Sequence, residues 1–292
     1  MIKLIIHIAL FSCLFAKLPN DVRWVRDSME YQEICKSTFS SAYNKIAKII
    51  NQKNYKILSS SSVKTAIKNN NSMNISSIIC SKKECIGEYL DKEGSFKIKL
   101  KSISNSFIQS IKRANIDYKY TKNLDKHISK NSNYAIIVDL DETILDNSYY
   151  QVMLNDRGET FNQKSWSEWV NKEKAKLVPG AKKFIKRMRD LDIQIIFISN
   201  RMDANLSPTI NNLKKLKIYS DNDIYLLRID KADKKTVRRA EVFNQSGRME
   251  SYPKFNVIAF LGDAYGDFPK DSKRYSWDTH YHIFPNPMYG KW

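Results

Sequence analysis

The stretch Tyr134-Ala135-Ile136-Ile137-Val138-Asp139-Leu140-Asp141-Glu142-Thr143-Ile144-Leu145-Asp146-Asn147 decides how this chain folds. Five residues without a charged group run straight into two carboxylates spaced two apart. A short continuous apolar run of this kind reads as a strand buried on both faces, the mark of a parallel sheet covered by helices. Alternate side chains on a strand point the same way, so Asp139 and Asp141 share a direction. At the carboxyl end of a strand in an open α/β sheet, that direction is the ligand crevice. Two carboxylates in one crevice repel each other. The arrangement makes sense when a cation sits between them and one carboxylate has a chemical task.

Outward from this strand the pattern repeats. Further apolar runs lie at 193–198, 224–228, 255–261 and 281–284, with polar or amphipathic helical segments between them. Alternating strand and helix predicts an α/β architecture, a Rossmann-like parallel sheet with helices on both faces. The long segment between the first two strands, about 148–178, carries Trp166, Trp169 and the corner Val178-Pro179-Gly180-Ala181. It reads as a small, mainly helical cap over the crevice. Upstream, residues 22–50 place Val22, Trp24, Val25, Met29, Tyr31, Ile34, Phe39, Tyr43 and Ile46 at broadly helical spacing and predict one amphipathic helix. Residues 51–75 are rich in Ser and Asn and predict a loop. Residues 76–130 hold short fragments with no clear period. The chain thus divides into 1–16, an N-terminal helix and basic insertion contributing to the cap over 17–130, and a core over 131–292.

The chain of 292 residues carries a formal net charge of +18. Residues 41–130 hold 18 Lys/Arg against 6 Asp/Glu, two thirds of the excess, so the basic character lies away from the acidic motif. No aromatic-interleaved basic motif accompanies it, so no nucleic-acid partner is expected and the charge reads as solvated faces. Lys3 followed by the apolar run 4–16 fits a signal peptide, and the run is too short to span a membrane comfortably. An uncleaved anchor and a lipid on Cys13, within Leu10-Phe11-Ser12-Cys13, are the alternatives for membrane attachment. Export predicts a secreted, periplasmic or cell-surface protein. In an oxidising compartment Cys80 and Cys85 could close a small disulfide loop, leaving Cys35 as a buried helical thiol.

Four elements at successive strand ends carry the chemistry. They are Asp139-x-Asp141-x-Thr143, then Ile198-Ser199-Asn200-Arg201, then Lys231-Ala-Asp-Lys234-Lys235-Thr-Val-Arg238-Arg239, then Gly262-Asp263-Ala264-Tyr265-Gly266-Asp267-Phe268. Singly, each has a plainer reading: an acidic turn, a helix cap, a solvated helix face, a strand-end turn. Together they supply a carboxylate nucleophile, a neighbouring acid, a hydroxyl, a lysine and further carboxylates for a divalent cation. Phosphoryl transfer needs those parts, because its catalysis is mostly positioning and charge neutralisation.

This order resembles the haloacid dehalogenase superfamily of phosphotransferases. The stretches DLDETILDNSYYQ, SWSEWV, PGA, IFISNR, GDAYGDF and Pro285-Asn286-Pro287-Met288-Tyr289-Gly290 are similar to class C acid phosphatases, as is Trp24-Val-Arg-Asp-Ser-Met-Glu-Tyr31. The resemblance implies the haloacid dehalogenase fold and an exported Mg²⁺-dependent phosphomonoesterase working through an aspartyl phosphate. Its substrate is then a small phosphomonoester, nucleoside monophosphates included. It implies that Asp139 is the nucleophile and Asp141 the proton carrier. Mg²⁺ falls to Asp139, the backbone carbonyl of Asp141, Asp263 and Asp267. Phosphate oxygens fall to Ser199, Asn200 and a lysine. The spacing Lys-x-x-Arg selects Lys235, while counting from Asp230 selects Lys234. By the same analogy Phe161, Trp166 and Tyr289 sandwich a substrate ring. The sequence departs from the family at Tyr149, where a proline is usual, and at Ala264-Tyr265, where Asn-Leu is common. Plant storage relatives keep the fold with little activity, so a non-catalytic basic surface or storage protein is the competing reading. Self-association is compatible with everything above.

Overall fold

The computed structural model describes residues 18–54, 56–59, 74–82, 84–91, 94–101, 103–114, 116–122, 133–270 and 272–290. The expected signal segment, with Cys13, lies outside them. The predicted N-terminal helix is two helices, α1 (Asn20–Asp27) and α2 (Met29–Asn54). The break is at Ser28, whose backbone is extended (φ −83°, ψ 142°) and whose hydroxyl accepts from the Tyr31 amide at 3.1 Å. A serine there caps the second helix instead of continuing the first. Along α2, Tyr31, Cys35, Phe39, Ala42, Ile46, Ile49 and Ile50 are buried, a stripe at three- and four-residue steps.

Of the stretch expected to be a loop, residues 60–73 lie outside the described residues; its two ends and the short helical or strand-like fragments expected over 76–130 form a second sheet. Strands β1 (Lys56–Ser59), β2 (Asn74–Cys80), β3 (Glu84–Asp91), β4 (Gly94–Lys101) and β5 (Asp117–Tyr120) lie in the order β1-β4-β3-β2-β5. The β2–β3 and β3–β4 pairs are antiparallel, and the outer pairs are parallel. Helix α3 (Asn105–Arg113) is capped by the Ser104 hydroxyl and adds Phe107 and Ile111 to Ile75, Ile78, Cys80, Cys85 and Leu100 in a small core of its own. Cys80 and Cys85 face each other across the β2–β3 hairpin and are joined by a disulfide, as the spacing suggested. Cys35 is a buried free thiol.

Strand β6 (Tyr134–Val138) is buried at every residue. The chain then forms the short β7 (Leu145–Asp146), cap helices α4 (Ser148–Arg157) and α5 (Gln163–Asn171), and β8 (Lys176–Leu177), which pairs antiparallel with β7 and closes the cap at its base. Helix α6 (Ala181–Asp190) leads to β9 (Gln194–Met202), α7 (Leu206–Lys215), β10 (Ile224–Arg228), α8 (Lys235–Asn244), β11 (Asn256–Gly262) and β12 (Tyr281–Ile283). The central sheet has the order β10-β9-β6-β11-β12 and every pairing in it is parallel. This is the predicted α/β architecture.

The alternation of β6 explains its continuous apolar text. Tyr134, Ile136 and Val138 enter one core with α2, α6 and the cap, while Ala135 and Ile137 enter the other with Val242 and Met249. Gly180 has φ +95°, and a Cβ there would lie 3.0 Å from the Phe39 ring, so the Pro-Gly corner lets α6 close on α2. Phe39 in turn contacts Phe184 and Phe284 with ring centroids 5.1 and 4.5 Å away. From β6 the chain moves outward to β9 and β10, then returns to β11 on the other side. That reversal puts a topological switch point between the ends of β6 and β11, where a ligand crevice opens.

Candidate active site

Asp139 leaves β6 at this switch point and is 4% exposed. Its amide donates to the Leu261 carbonyl at 2.9 Å, which fixes the end of β6 against the end of β11. The next residues turn tightly. Ile144 and Leu145 amides both donate to the Leu140 carbonyl, at 2.9 and 2.7 Å, and Glu142 takes a left-handed backbone (φ 57°). A non-glycine residue there carries a strain of roughly 1 kcal/mol or more, held in place by surrounding structure. Here the holding contact is the Asn147 amide donating to Glu142 Oε1 at 2.9 Å.

From the end of β11, Asp263 and Asp267 come into the same space. Carboxylate oxygens of Asp139, Asp263 and Asp267 lie within 4.8 Å of one another. Gly262 makes this approach possible, since a Cβ at that position would sit 2.3 Å from the Asp267 Cβ. Asp267 Oδ2 accepts from the Ala264 amide at 3.0 Å, closing the turn that carries both aspartates. Asn286, from the Pro-Asn-Pro segment, donates to Asp263 Oδ2 at 2.8 Å.

One cation reaches this cluster. Lys235 Nζ donates to Asp139 Oδ1 at 2.5 Å and to Asp267 Oδ1. The two candidate lysines, Lys234 and Lys235, are placed differently. Lys234 is the exposed cap of α8, with extended backbone, and Lys235 is the first helical residue, pointing inward. Arg238, wholly buried three residues later, anchors the helix by donating to the carbonyls of Ser199 and Leu226 and to Asn200 Oδ1. The basic run is therefore no solvated face at Arg238 and Arg239, both of which are buried. The spacing Lys-x-x-Arg works because the arginine fixes the helix that aims the lysine.

Charge balance shows what the cluster lacks. Burial pushes the Asp139 carboxyl well above its ordinary range; Lys235 pulls against this, and Asp267, Asp263 and Asp141 add to it. Burial and Asp267 push Asp263 up to about 6, with Lys235 and Asn286 opposing. Burial alone would lower Lys235, but the facing carboxylates outweigh it and hold the ammonium charged. Three carboxylates against one lysine leave uncompensated negative charge in a buried pocket, and a hard divalent cation with oxygen ligands fits that deficit. Asp139, Asp263 and Asp267 are the residues present to hold it.

Asp141 is engaged differently. Its carboxylate faces Arg201, which donates from Nε at 2.9 Å and from Nη2 at 2.8 Å to Oδ1, and from Nε at 3.3 Å to Oδ2. Asn147 Nδ2 donates to Oδ1 at 2.9 Å and Ser199 Oγ to Oδ2 at 3.2 Å. Arg201 is 1% exposed and also donates to Thr209 Oγ1 at 3.1 Å. Trp169, from cap helix α5, donates its indole N–H to Asn147 Oδ1 at 2.9 Å. A chain of buried hydrogen bonds thus runs from the cap through Asn147 to Asp141. The Asp141 side chain lies outside the three-carboxylate group.

The other predicted residues are placed as follows. Ser199 is fully buried between Asp141 and the Arg201 amide. Asn200 points out of the strand and is taken up by Arg238. Trp166 is 7% exposed, packed edge-on against Tyr150 at 5.0 Å with the Arg201 guanidinium 5.8 Å over its ring. Phe161 is 61% exposed, 6.2 Å from Trp166. Tyr289 is half-buried and makes no ring contact with either among the described residues.

Sequence reasoning missed Arg201, Asn147, Trp169 and Asn286 as members of the site. Arg201 had a usable signal: it lies two residues after Ser199 on one strand, so both face the same side. Asn147 and Trp169 had none, since only the fold of the cap brings them together.

Comparison with known proteins places the chain as a whole. The chain is 26% identical over 162 residues to the stem 31 kDa glycoprotein of Glycine max, covering 54% of this chain and 59% of that one, so it spans about three fifths of that relative's length. Its fold is similar to the class C acid phosphatase from Bacillus anthracis at 22% identity and a TM-score of 0.54, over 92% of this chain and 84% of the other. The same Bacillus anthracis enzyme with tungstate bound matches at 21% identity and a TM-score of 0.52, with the same coverage. Residues 44–292 match the family described as HAD superfamily, subfamily IIIB (Acid phosphatase), and the chain belongs to that family.

Proposed function

We propose that this chain is an exported, Mg²⁺-dependent acid phosphatase that hydrolyses small phosphomonoesters through an aspartyl phosphate on Asp139. The observation that carries the reading is Lys235 bridging Asp139 and Asp267, with Asp263 beside them, at the sheet's switch point. That arrangement gives one carboxylate directed into the crevice, flanked by a fixed cation and two further oxygen ligands. Tungstate, held by the Bacillus anthracis relative, is an oxyanion of the kind such a pocket receives.

A divalent cation held by Asp139, Asp263 and Asp267 would supply charge neutralisation for the phosphoryl oxygens. Asp139 attacks phosphorus, and the ester oxygen leaves with the electron pair of the broken P–O bond. Asp141 gives that oxygen a proton and later takes one from the water that cleaves the acyl phosphate, so the proton count closes over the cycle. Lys235 balances phosphoryl charge in the crevice, and the Arg201–Asn147–Trp169 network fixes the direction of Asp141. Cap helices α4 and α5, with α1 set against α4 through Arg26 over the Tyr149 ring at 4.6 Å, exclude water from the crevice. Residues 1–16 serve export in this reading; among the described residues no helix is long and apolar enough to cross a membrane.

A panel of phosphate esters assayed across pH 4 to 8, a range bracketing carboxylate and phosphate titration, with and without EDTA, tests the proposal. Turnover that vanishes on chelation and returns with Mg²⁺ is the expected result. Undiminished turnover in EDTA, or no phosphate release from any ester, counts against it.

A further inference from the structure

Beyond the crevice, the turn after β11 opens on a second cavity of about 350 Å³. Half of its lining is aromatic, from Tyr265, Phe268, Tyr275, Trp277 and Tyr281, and Lys270 and Asp278 line it as well. Phe268, Tyr275 and Tyr281 are buried and belong to the core under the sheet. Tyr265 and Trp277 belong to none of the three hydrophobic clusters, and they are 58% and 43% exposed. Their rings stack with centroids 5.9 Å apart and planes 29° apart. Phe268 packs on Trp277 at 4.8 Å and Tyr281 meets its edge at 5.2 Å, so the outer pair is held from below. Lys270 Nζ lies 5.7 Å from the Tyr265 ring centre. Two large rings stacked with their planes 29° apart at a cavity mouth contribute little to the core and leave apolar surface in water. A rigid flat platform beside an ammonium group is what a planar anionic molecule recognises.

We propose that this cavity is a binding site for a planar aromatic ring carrying negative charge, of the aryl or nucleoside phosphate class, with the ring on Tyr265 and Trp277 and the anion at Lys270. The site is separate from the carboxylate cluster and is tied to it through the chain, because Tyr265 sits midway between Asp263 and Asp267. The hydrogen bond from the Ala264 amide to Asp267 and that from Arg239 to the Gly266 carbonyl at 2.8 Å hold this turn rigid.

The test is a titration of adenosine 5′-monophosphate into the Asp139→Asn protein, which keeps the probe intact, read by tryptophan fluorescence and calorimetry. Saturable quenching is expected. Tyr265→Leu weakens binding about tenfold, the scale of one lost base-stacking partner. Lys270→Gln weakens binding of the nucleotide while leaving adenosine unchanged, which locates the anion. In the native background, Tyr265→Leu keeps glycerol phosphate hydrolysis within about twofold. Unchanged nucleotide binding in Tyr265→Leu overturns the proposal, and so does an equal loss of binding and glycerol phosphate turnover, which would mean the tyrosine only shapes the turn. Failure of the native protein to release phosphate from any ester would sink the phosphatase reading without altering the binding result.

Discussion

Replacing Arg201 with methionine probes the least expected part of the site. The side chain is 1% exposed and its fork supplies three of the five hydrogen bonds that hold the Asp141 carboxylate. Without it, Asp141 keeps only Asn147 and Ser199, and Thr209 loses a donor. Breaking a buried ion pair by removing one partner costs about 3–5 kcal/mol. Asp141 is 14% exposed, so water partly compensates and the lower end applies, about 3 kcal/mol in urea unfolding. Asp141→Asn removes the stranded charge, so the double variant recovers about 2 kcal/mol relative to the sum of the single losses. Arg201→Lys restores charge without the fork and falls between. Activity should drop in all of them with little change in KM, since Asp141 acts in the transition state. Additivity of the two single losses to within about 0.5 kcal/mol would refute the coupling and with it the positioning role.

Three further outcomes follow from particular contacts. Trp169→Phe keeps the packing but removes the indole donor to Asn147 Oδ1, which then keeps only Arg201 Nη2 at 3.3 Å, costing about 0.5–1.5 kcal/mol of stability; kcat should fall severalfold with KM retained, and an unchanged kcat would detach the cap from Asp141. Asn286→Ala frees Asp263 and should weaken divalent-cation affinity about 10- to 100-fold by calorimetry, with equal affinity counting against its supporting role. Burial, with Lys45 and His280 adding to it, lowers His282 to about 4, so the unfolded chain binds the extra proton between pH 6.5 and 4 and stability falls as pH drops through that window. His282→Leu should remove a loss on the order of 3 kcal/mol, read as a flatter melting temperature over that range, whereas an unchanged slope would place the acid sensitivity elsewhere.

What could be read from the text differs by residue. The alternation of Tyr134–Val138 into two cores is local, so one strand's pattern revealed a sheet covered on both faces. Asp139 and Asp263 follow strand ends and Lys235 opens a helix, and their order together with the family resemblance brought them together. Ser28 looked like any polar helix residue, because a cap is recognised only by the backbone it adopts. The β1–β5 sheet was hidden for another reason. Its strands are mixed in direction and joined across a disulfide hairpin, and pairing partners such as β1 and β4 are far apart in sequence. Asn286 donates to Asp263 from 23 positions further along the chain, a contact that no periodicity announces.

The most direct test of the account is covalent capture on Asp139. Rapid acid quenching of the protein turning over a labelled phosphomonoester should trap label on the native chain, in hydroxylamine-sensitive linkage, at the peptide holding Asp139. Asp139→Asn should release no phosphate, trap no label and keep the native melting transition. Retained turnover in folded Asp139→Asn, or label recovered on another residue, would contradict the nucleophile assignment on which the mechanism rests.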